Sequence, residues 1–185
     1  MMGHGSRWGQ GIDARRYQVS PRTLIFITHG DEVLLLRGAS DRRLWAGRIN
    51  GVGGHVEPGE DVLAAARREL REETGLTVPD DVPALHLRAI VHVDGTATRG
   101  VIFFVFLGLS RTREVHPSAE GTLLWVNHDR LTDLEPELMP DLPVLLPRVL
   151  ALPPEAPPLF VHYRLVGEEV EITFAEENHL AGFRD

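Results

Sequence analysis

The most constraining feature of the chain is a run of fifteen residues, Glu60 to Thr74, that holds neither glycine nor proline and is closed by Gly75. Alanine, leucine, arginine and glutamate dominate it, and all four favour helix. A glycine just past the end supplies the left-handed conformation at which helices commonly stop. The spacing therefore predicts a helix of about four turns. At about 100° per residue, Glu69, Glu72 and Glu73 fall in an arc of about 100° on one face. Like charges so spaced destabilise an isolated helix by a few tenths of a kcal/mol per pair, so positive charge belongs beside them. Arg68 is placed to orient a carboxylate, but one arginine does not neutralise three. A hard divalent cation, Mg²⁺ or Mn²⁺, does so and keeps coordination positions for water and phosphate oxygens. The competing reading is a solvated face laced with Arg–Glu pairs. Gly51, Gly53 and Gly54, just upstream, favour the metal, because a charged surface helix has no need of backbone held close against it.

The flanking patterns are those of a sheet. Thr23 to Thr28 and Glu32 to Arg37 read as a hairpin turned at His29-Gly30-Asp31, and Leu85 to Val93 with Gly100 to Leu109 read as a second, turned at Asp94-Gly95-Thr96. Gly38 to Gly59 is a glycine-rich loop, Leu123 to Val126 a short strand, and Leu142 to Leu152 an apolar helix. Phe160 to Leu165 and Glu169 to Phe174 form a last alternating pair. This order gives one α/β or α+β domain, a mixed sheet with a helix on each face. The expected organisation is a loose arm over residues 1–20, one domain over 21–176 and a tail over 177–185.

Composition narrows the chemistry. All 19 basic residues are arginine and there is no cysteine, which removes Schiff-base lysines, the P-loop lysine, disulfides, thiolate nucleophiles and Cys-ligated metals. A net charge of −8 argues against a basic surface for a nucleic-acid polymer, while a small anionic nucleotide can still bind through a cation. No apolar run approaches the roughly 20 residues of a membrane span, and Met1 to Ser20 has no apolar core of a secretory leader. Cytoplasmic residence is the default expectation, although a chain without cysteine suits an oxidising compartment equally. Nothing in the sequence signals an oligomeric state. Trp45 reads as a packing residue ahead of a base-stacking one. Among the scattered histidines, His86 and His92 with Asp94 come nearest to a metal set, on a spacing that is not diagnostic.

Gly54, Glu60, Arg68, Glu69, Leu70, Glu72, Glu73, Gly75 and Leu76 match the pattern Gx5Ex7REUxEExGU at every defined position, where U is a bulky aliphatic residue. The stretch GHVEPGEDVLAAARRELREETGL thus resembles the Nudix box. The resemblance implies an α/β/α sandwich with a mixed β-sheet and hydrolysis of a nucleoside diphosphate linked to another moiety, with Mg²⁺ or Mn²⁺. It makes Glu69, Glu72, Glu73 and the carbonyl of Gly54 the metal ligands, and Arg68 the residue that orients them. It adds Glu120, in AEGTLLWV, as a distal ligand or general base. The loop Ala46 to Gly54 and the run Met139-Pro140-Asp141 are similar to those of 8-oxo-dGTP and oxidised purine nucleoside triphosphate diphosphatases. That likeness implies substrate contacts from Thr23, Arg37, Asn50, Gly53 and Asp141, and cleavage to monophosphate and pyrophosphate by metal-activated water. Asn50 has the alternative of capping its own loop, and Asp141 that of capping the helix after it. The chain departs from the similar enzymes at His55, where lysine is common, and at Leu142, where a second aspartate is common. Two other functions stay open: hydrolysis of another nucleoside diphosphate derivative, such as ADP-ribose or a dinucleoside polyphosphate, and nucleotide binding without catalysis.

Overall fold

A computed structural model of the protein describes residues 13, 15–39, 47–116, 118, 120–166 and 169–175. Strands β1 (Gln18–His29) and β2 (Glu32–Gly38) form the first hairpin, turned at Gly30 with φ 58°. A short β3 (Ile49–Asn50) returns along β2, and α1 (Val62–Thr74) follows. Next come β4 (Leu85–Asp94) and β5 (Arg99–Leu109), then β6 (Gly121–Asn127) and a 3₁₀ segment over His128–Glu137. Helix α2 (Leu142–Ala151) and the hairpin β7 (Leu159–Val166) with β8 (Glu169–Phe174) complete the chain. All eight strands belong to one mixed sheet in the order β3-β2-β1-β5-β4-β7-β8, with β6 also on β2. Helix α1 covers one face, and α2 with the 3₁₀ segment the other. This is the α+β sandwich the sequence implies.

Strand alternation sorts the apolar residues onto these faces. Leu24, Phe26, Val33 and Leu35 pack with Leu142, Leu145, Leu146 and Val149 of α2. Ile25, Ile27, Leu34 and Leu36 pack with Ala66 and Leu70 of α1. Burial on both faces is why these strands read as continuous apolar runs.

Two boundaries shift. Strand β1 starts at Gln18, paired with Arg99 in parallel, so the last three residues of the stretch read as an arm stand in the sheet. Helix α1 starts at Val62, because the Asp61 carboxylate accepts the N–H groups of Leu63 and Ala64 and so caps it. Gly75 ends it as expected, at φ 79°. Residues 1–12 of the expected arm, Trp45 and the tail over 177–185 lie outside the described residues.

Candidate active site

Arg68 organises the first turns of the site. Its guanidinium donates to both oxygens of Glu60 at 2.7 and 3.1 Å, to Glu69 Oε1 at 2.9 Å, to Glu72 Oε2 at 3.2 Å and to the His55 carbonyl at 3.0 Å. The Glu60 carboxylate, ahead of Glu69 and Glu72, pushes the arginine's pKa up, and Arg68 in turn holds Glu60 below the usual carboxylate range. Glu60 is thus the anchor of Arg68, a role the box pattern marks by position without explaining. Glu69 and Glu72 each spend one oxygen on Arg68 and keep a second.

The glycine loop is laid against these carboxylates by β1. Thr23 N–H donates to the Gly54 carbonyl at 2.9 Å, and Gly54 N–H donates to Thr23 Oγ1 at 3.4 Å. Thr23 is buried and its hydrogen bonds are spent on the first box glycine. Gly53 has φ 142°, and a side chain there would run into the Thr23 backbone; its N–H donates to Glu73 Oε2 at 3.2 Å. Glu73 is 5% exposed. The loop before β6 is tied to the end of α1 by a hydrogen bond from His116 N–H to the Thr74 carbonyl at 2.8 Å. Glu120, just before β6, acts electrostatically on Arg22 together with Glu69 and Glu73 of the helix.

One cationic residue that the sequence did not single out stands here. Arg22 on β1 bridges His55 in antiparallel register, and its guanidinium lies 5.6 Å from the Phe103 ring centroid. Its Nε is buried with no hydrogen-bond partner. Burial pulls its pKa down, against the opposing pull of Glu69, Glu120 and Glu73. Nothing in the local pattern marks Arg22, because only the β1–β5 pairing and the folding of the glycine loop bring those groups to it.

Five carboxylates, of Glu60, Glu69, Glu72, Glu73 and Glu120, therefore meet two guanidinium groups, of Arg68 and Arg22. The excess negative charge and all-oxygen donor set fit a hard divalent cation, and the absence of any side chain on Gly54 leaves room for the Glu69 carboxylate beside its backbone.

On the α2 side of the sheet a cavity of about 280 Å³ is lined by Leu24, Asn50, Phe103, Met139, Asp141 and Tyr163, among others. Met139 N–H donates to the Ile49 carbonyl at 2.9 Å, which draws Asp141 to Asn50 from a distant part of the chain. Asn50 Oδ1 accepts Gly51 N–H at 2.9 Å, so the loop-capping alternative holds, and its amide NH₂ remains a donor. Asp141 makes no side-chain cap to α2. Burial pushes its carboxyl up, against the smaller pull of its own backbone N–H and the Tyr163 hydroxyl. The Tyr163 hydroxyl is itself buried without a bond of good geometry, and burial with the nearby Asp141 raises its pKa. Arg37 stands apart from this group, ion-paired to Glu137 and lining a different cavity with Leu124 and Trp125.

Comparison with known proteins agrees with this geometry. The NUDIX domain model matches residues 19–149. The chain belongs to the Nudix hydrolase family. It is 38% identical over 94 residues to the oxidized purine nucleoside triphosphate hydrolase of Danio rerio, a match that covers 51% of this chain and only 49% of that protein. The chain thus spans about half the length of that relative. It is 32% identical over 125 residues to the nucleoside triphosphatase NudI of Enterobacter sp. (strain 638), covering 62% of this chain and 87% of that one. The MutT protein of Bacillus halodurans shares the fold, with a TM-score of 0.65 and 22% identity over 85% of this chain and 99% of that one. Among the described residues no helix is long and apolar enough to cross a membrane.

Proposed function

We propose that the protein hydrolyses a nucleoside triphosphate, an oxidised purine such as 8-oxo-dGTP being its substrate class, to the monophosphate and pyrophosphate. The observation that carries the reading is the cavity shared by Asn50 and Asp141, whose wall includes Phe103, beside which Arg22 stands within electrostatic reach of Glu69, Glu120 and Glu73. Its volume sits at the small end for ligand sites, which suits a base more than a whole nucleotide. An amide donor, and a carboxyl pushed up by burial beside the Tyr163 phenol, face an otherwise apolar space, so a purine edge offering both donors and acceptors suits them.

Glu69, Glu72, Glu73, Glu120 and the Gly54 carbonyl are the residues that would hold Mg²⁺ or Mn²⁺. Bound there, the metal supplies charge neutralisation on phosphate oxygens and a more acidic water. Arg68 fixes Glu69 and Glu72 in place, Gly53 N–H fixes Glu73, and Arg22 offers a cation to the phosphates between cavity and carboxylates. Glu73 or Glu120 takes the proton from the attacking water. Both relatives above carry names for nucleoside triphosphate hydrolysis, which supports the substrate class.

The test is product identification from 8-oxo-dGTP, 2-hydroxy-dATP, dGTP, ADP-ribose and diadenosine tetraphosphate, with Mg²⁺ or Mn²⁺, beside Glu73→Gln. Expected is preferential cleavage of an oxidised purine triphosphate to monophosphate and pyrophosphate, reduced about 10²- to 10⁴-fold in the variant. Preference for ADP-ribose or a dinucleotide overturns the roles of Asn50 and Asp141. Tight nucleotide binding without turnover overturns the enzymatic reading.

A further inference from the structure

The reverse face of the strands that wall the cavity carries a second group of metal-ligating side chains. Val91, Val93 and Tyr163 point into the cavity, so alternation puts His92 and Asp94 of β4 and His162 of β7 on the other side of the sheet. His92 and His162 are directly opposite in the parallel β4–β7 register. Their rings stack with centroids 5.2 Å apart, and His162 Nε2 lies 3.0 Å from Asp94 Oδ1. One ligand atom from each of the three lies within 4.8 Å of the other two. The sequence pairs His92 and Asp94 with His86; the fold replaces His86 with His162.

The surroundings hold this group in place. Tyr17, just before β1, reaches over β5 to bring its hydroxyl 2.9 Å from His92 Nε2. It crosses at Gly100, where a Cβ would lie 2.9 Å from the Tyr17 ring and 2.6 Å from the Val93 carbonyl oxygen. A hydrogen bond of this kind sets ring orientation in metal-binding histidines. The neighbouring charge of Arg164 opposes a cation, but its guanidinium is engaged by Glu171 at 3.0 Å.

We propose that His92, Asp94 and His162 form a second cation site, distinct from the carboxylates of α1, for a first-row transition ion that takes imidazole nitrogen, Zn²⁺ foremost. Two nitrogens and one carboxylate oxygen suit Zn²⁺ far better than Mg²⁺. Ligand atoms of a tetrahedral site with Zn–N near 2.0–2.1 Å stand about 3.4 Å apart, a spacing within reach of a group whose ligand atoms all lie within 4.8 Å of one another. The two imidazoles are 13° from parallel, and an ion lying in both ring planes requires one ring to turn about its Cβ–Cγ bond. His162, with 45% of its side chain exposed, has the room. The ion then ties β4 to β7 behind the cavity wall.

The test is calorimetric titration of Zn²⁺ into the full chain with Mg²⁺ in excess, which occupies the hard carboxylate sites. Expected is one Zn²⁺ per chain, a higher Tm, and visible absorption when Co²⁺ replaces it. His92→Gln and His162→Gln should each weaken binding at least about tenfold, and Glu72→Gln should leave it unchanged. In the unaltered protein, Zn²⁺ should shift the ring resonances of His92 and His162 and spare His86, a readout that needs no variant to fold. Absence of a Zn²⁺-dependent Tm shift in the unaltered protein, or equal binding in the His92→Gln/His162→Gln double variant, overturns the site.

Discussion

The Glu69 carboxylate occupies the space a side chain on Gly54 would take: a Cβ there would stand 2.6 Å from Glu69 Cδ. This close approach joins the first glycine of the box to the first of the three helix glutamates, fifteen residues on, and holds the loop and the helix together as one unit. Gly54 has no positive φ, so alanine is compatible with its backbone.

The Gly54→Ala variant should therefore fold, with a stability loss near 1 kcal/mol. The displaced Glu69 should lower kcat about 10²-fold, as a misplacement of about 1 Å can. Denaturant unfolding and steady-state kinetics separate the two effects. Unchanged kcat would show that Glu69 tolerates the shift and is not held in register by this contact.

Arg22 is a cation with a buried, unpartnered Nε between an aromatic ring and three glutamates. Hydrogen bonds to charged groups contribute about 1.5–3 kcal/mol, so Arg22→Met should lower kcat/KM for a nucleoside triphosphate about 10- to 100-fold. The measurement is kcat/KM at saturating Mg²⁺ beside Tm. A fall in Tm with kcat/KM unchanged would reduce Arg22 to a packing residue.

Asp141 has its carboxyl pushed up by burial, so the folded chain holds that proton more tightly than the unfolded one. Its contribution to stability is then greatest below the ordinary carboxylate range and is lost as pH rises through the folded value. Asp141→Asn, neutral throughout, should unfold at a higher temperature than the parent at pH 7, and the gap should close in acid. The same variant should discriminate less between 8-oxo-dGTP and dGTP. Unfolding scans across pH check the first expectation, and paired kcat/KM values the second.

Arg88 provides a control away from the site. Buried on β4 at the bulge between Leu87 and Ala89, it donates to the carbonyls of Leu152, Pro153 and Pro154 just past α2. Arg88→Met strands these acceptors and should cost about 2–4 kcal/mol in denaturant unfolding. KM for the nucleotide should stay within about twofold, because Arg88 lines a different cavity from Asn50 and Asp141.

Helix α1, the two early hairpins, the glycine cap and the three-glutamate face were legible in the chain because each rests on contacts within a few residues. A period of 3.6 or 2, Gly30 and Gly75 in left-handed turns, and the box spacing all act locally. The exact start of α1 was not, since the Asp61 carboxylate competes for N–H groups that the helix would leave open. The 3₁₀ segment over His128–Glu137, with Pro136 inside and no buried residue, has no apolar period by which to be seen.

The sequence by itself determined the local elements, the chemistry its residue types permit, and the face on which the three glutamates of α1 gather. Tertiary structure alone decided that β1 runs parallel to β5 and β4 to β7, that Asn50 meets Asp141 across the Ile49–Met139 hydrogen bond, that Arg22 faces the glutamates, that Arg37 turns away to Glu137, and that His162 joins His92. The physical reason is loop closure. Pairings between distant strands cost chain entropy that short-range patterns do not encode, and they form only because the whole set of apolar faces is buried at once.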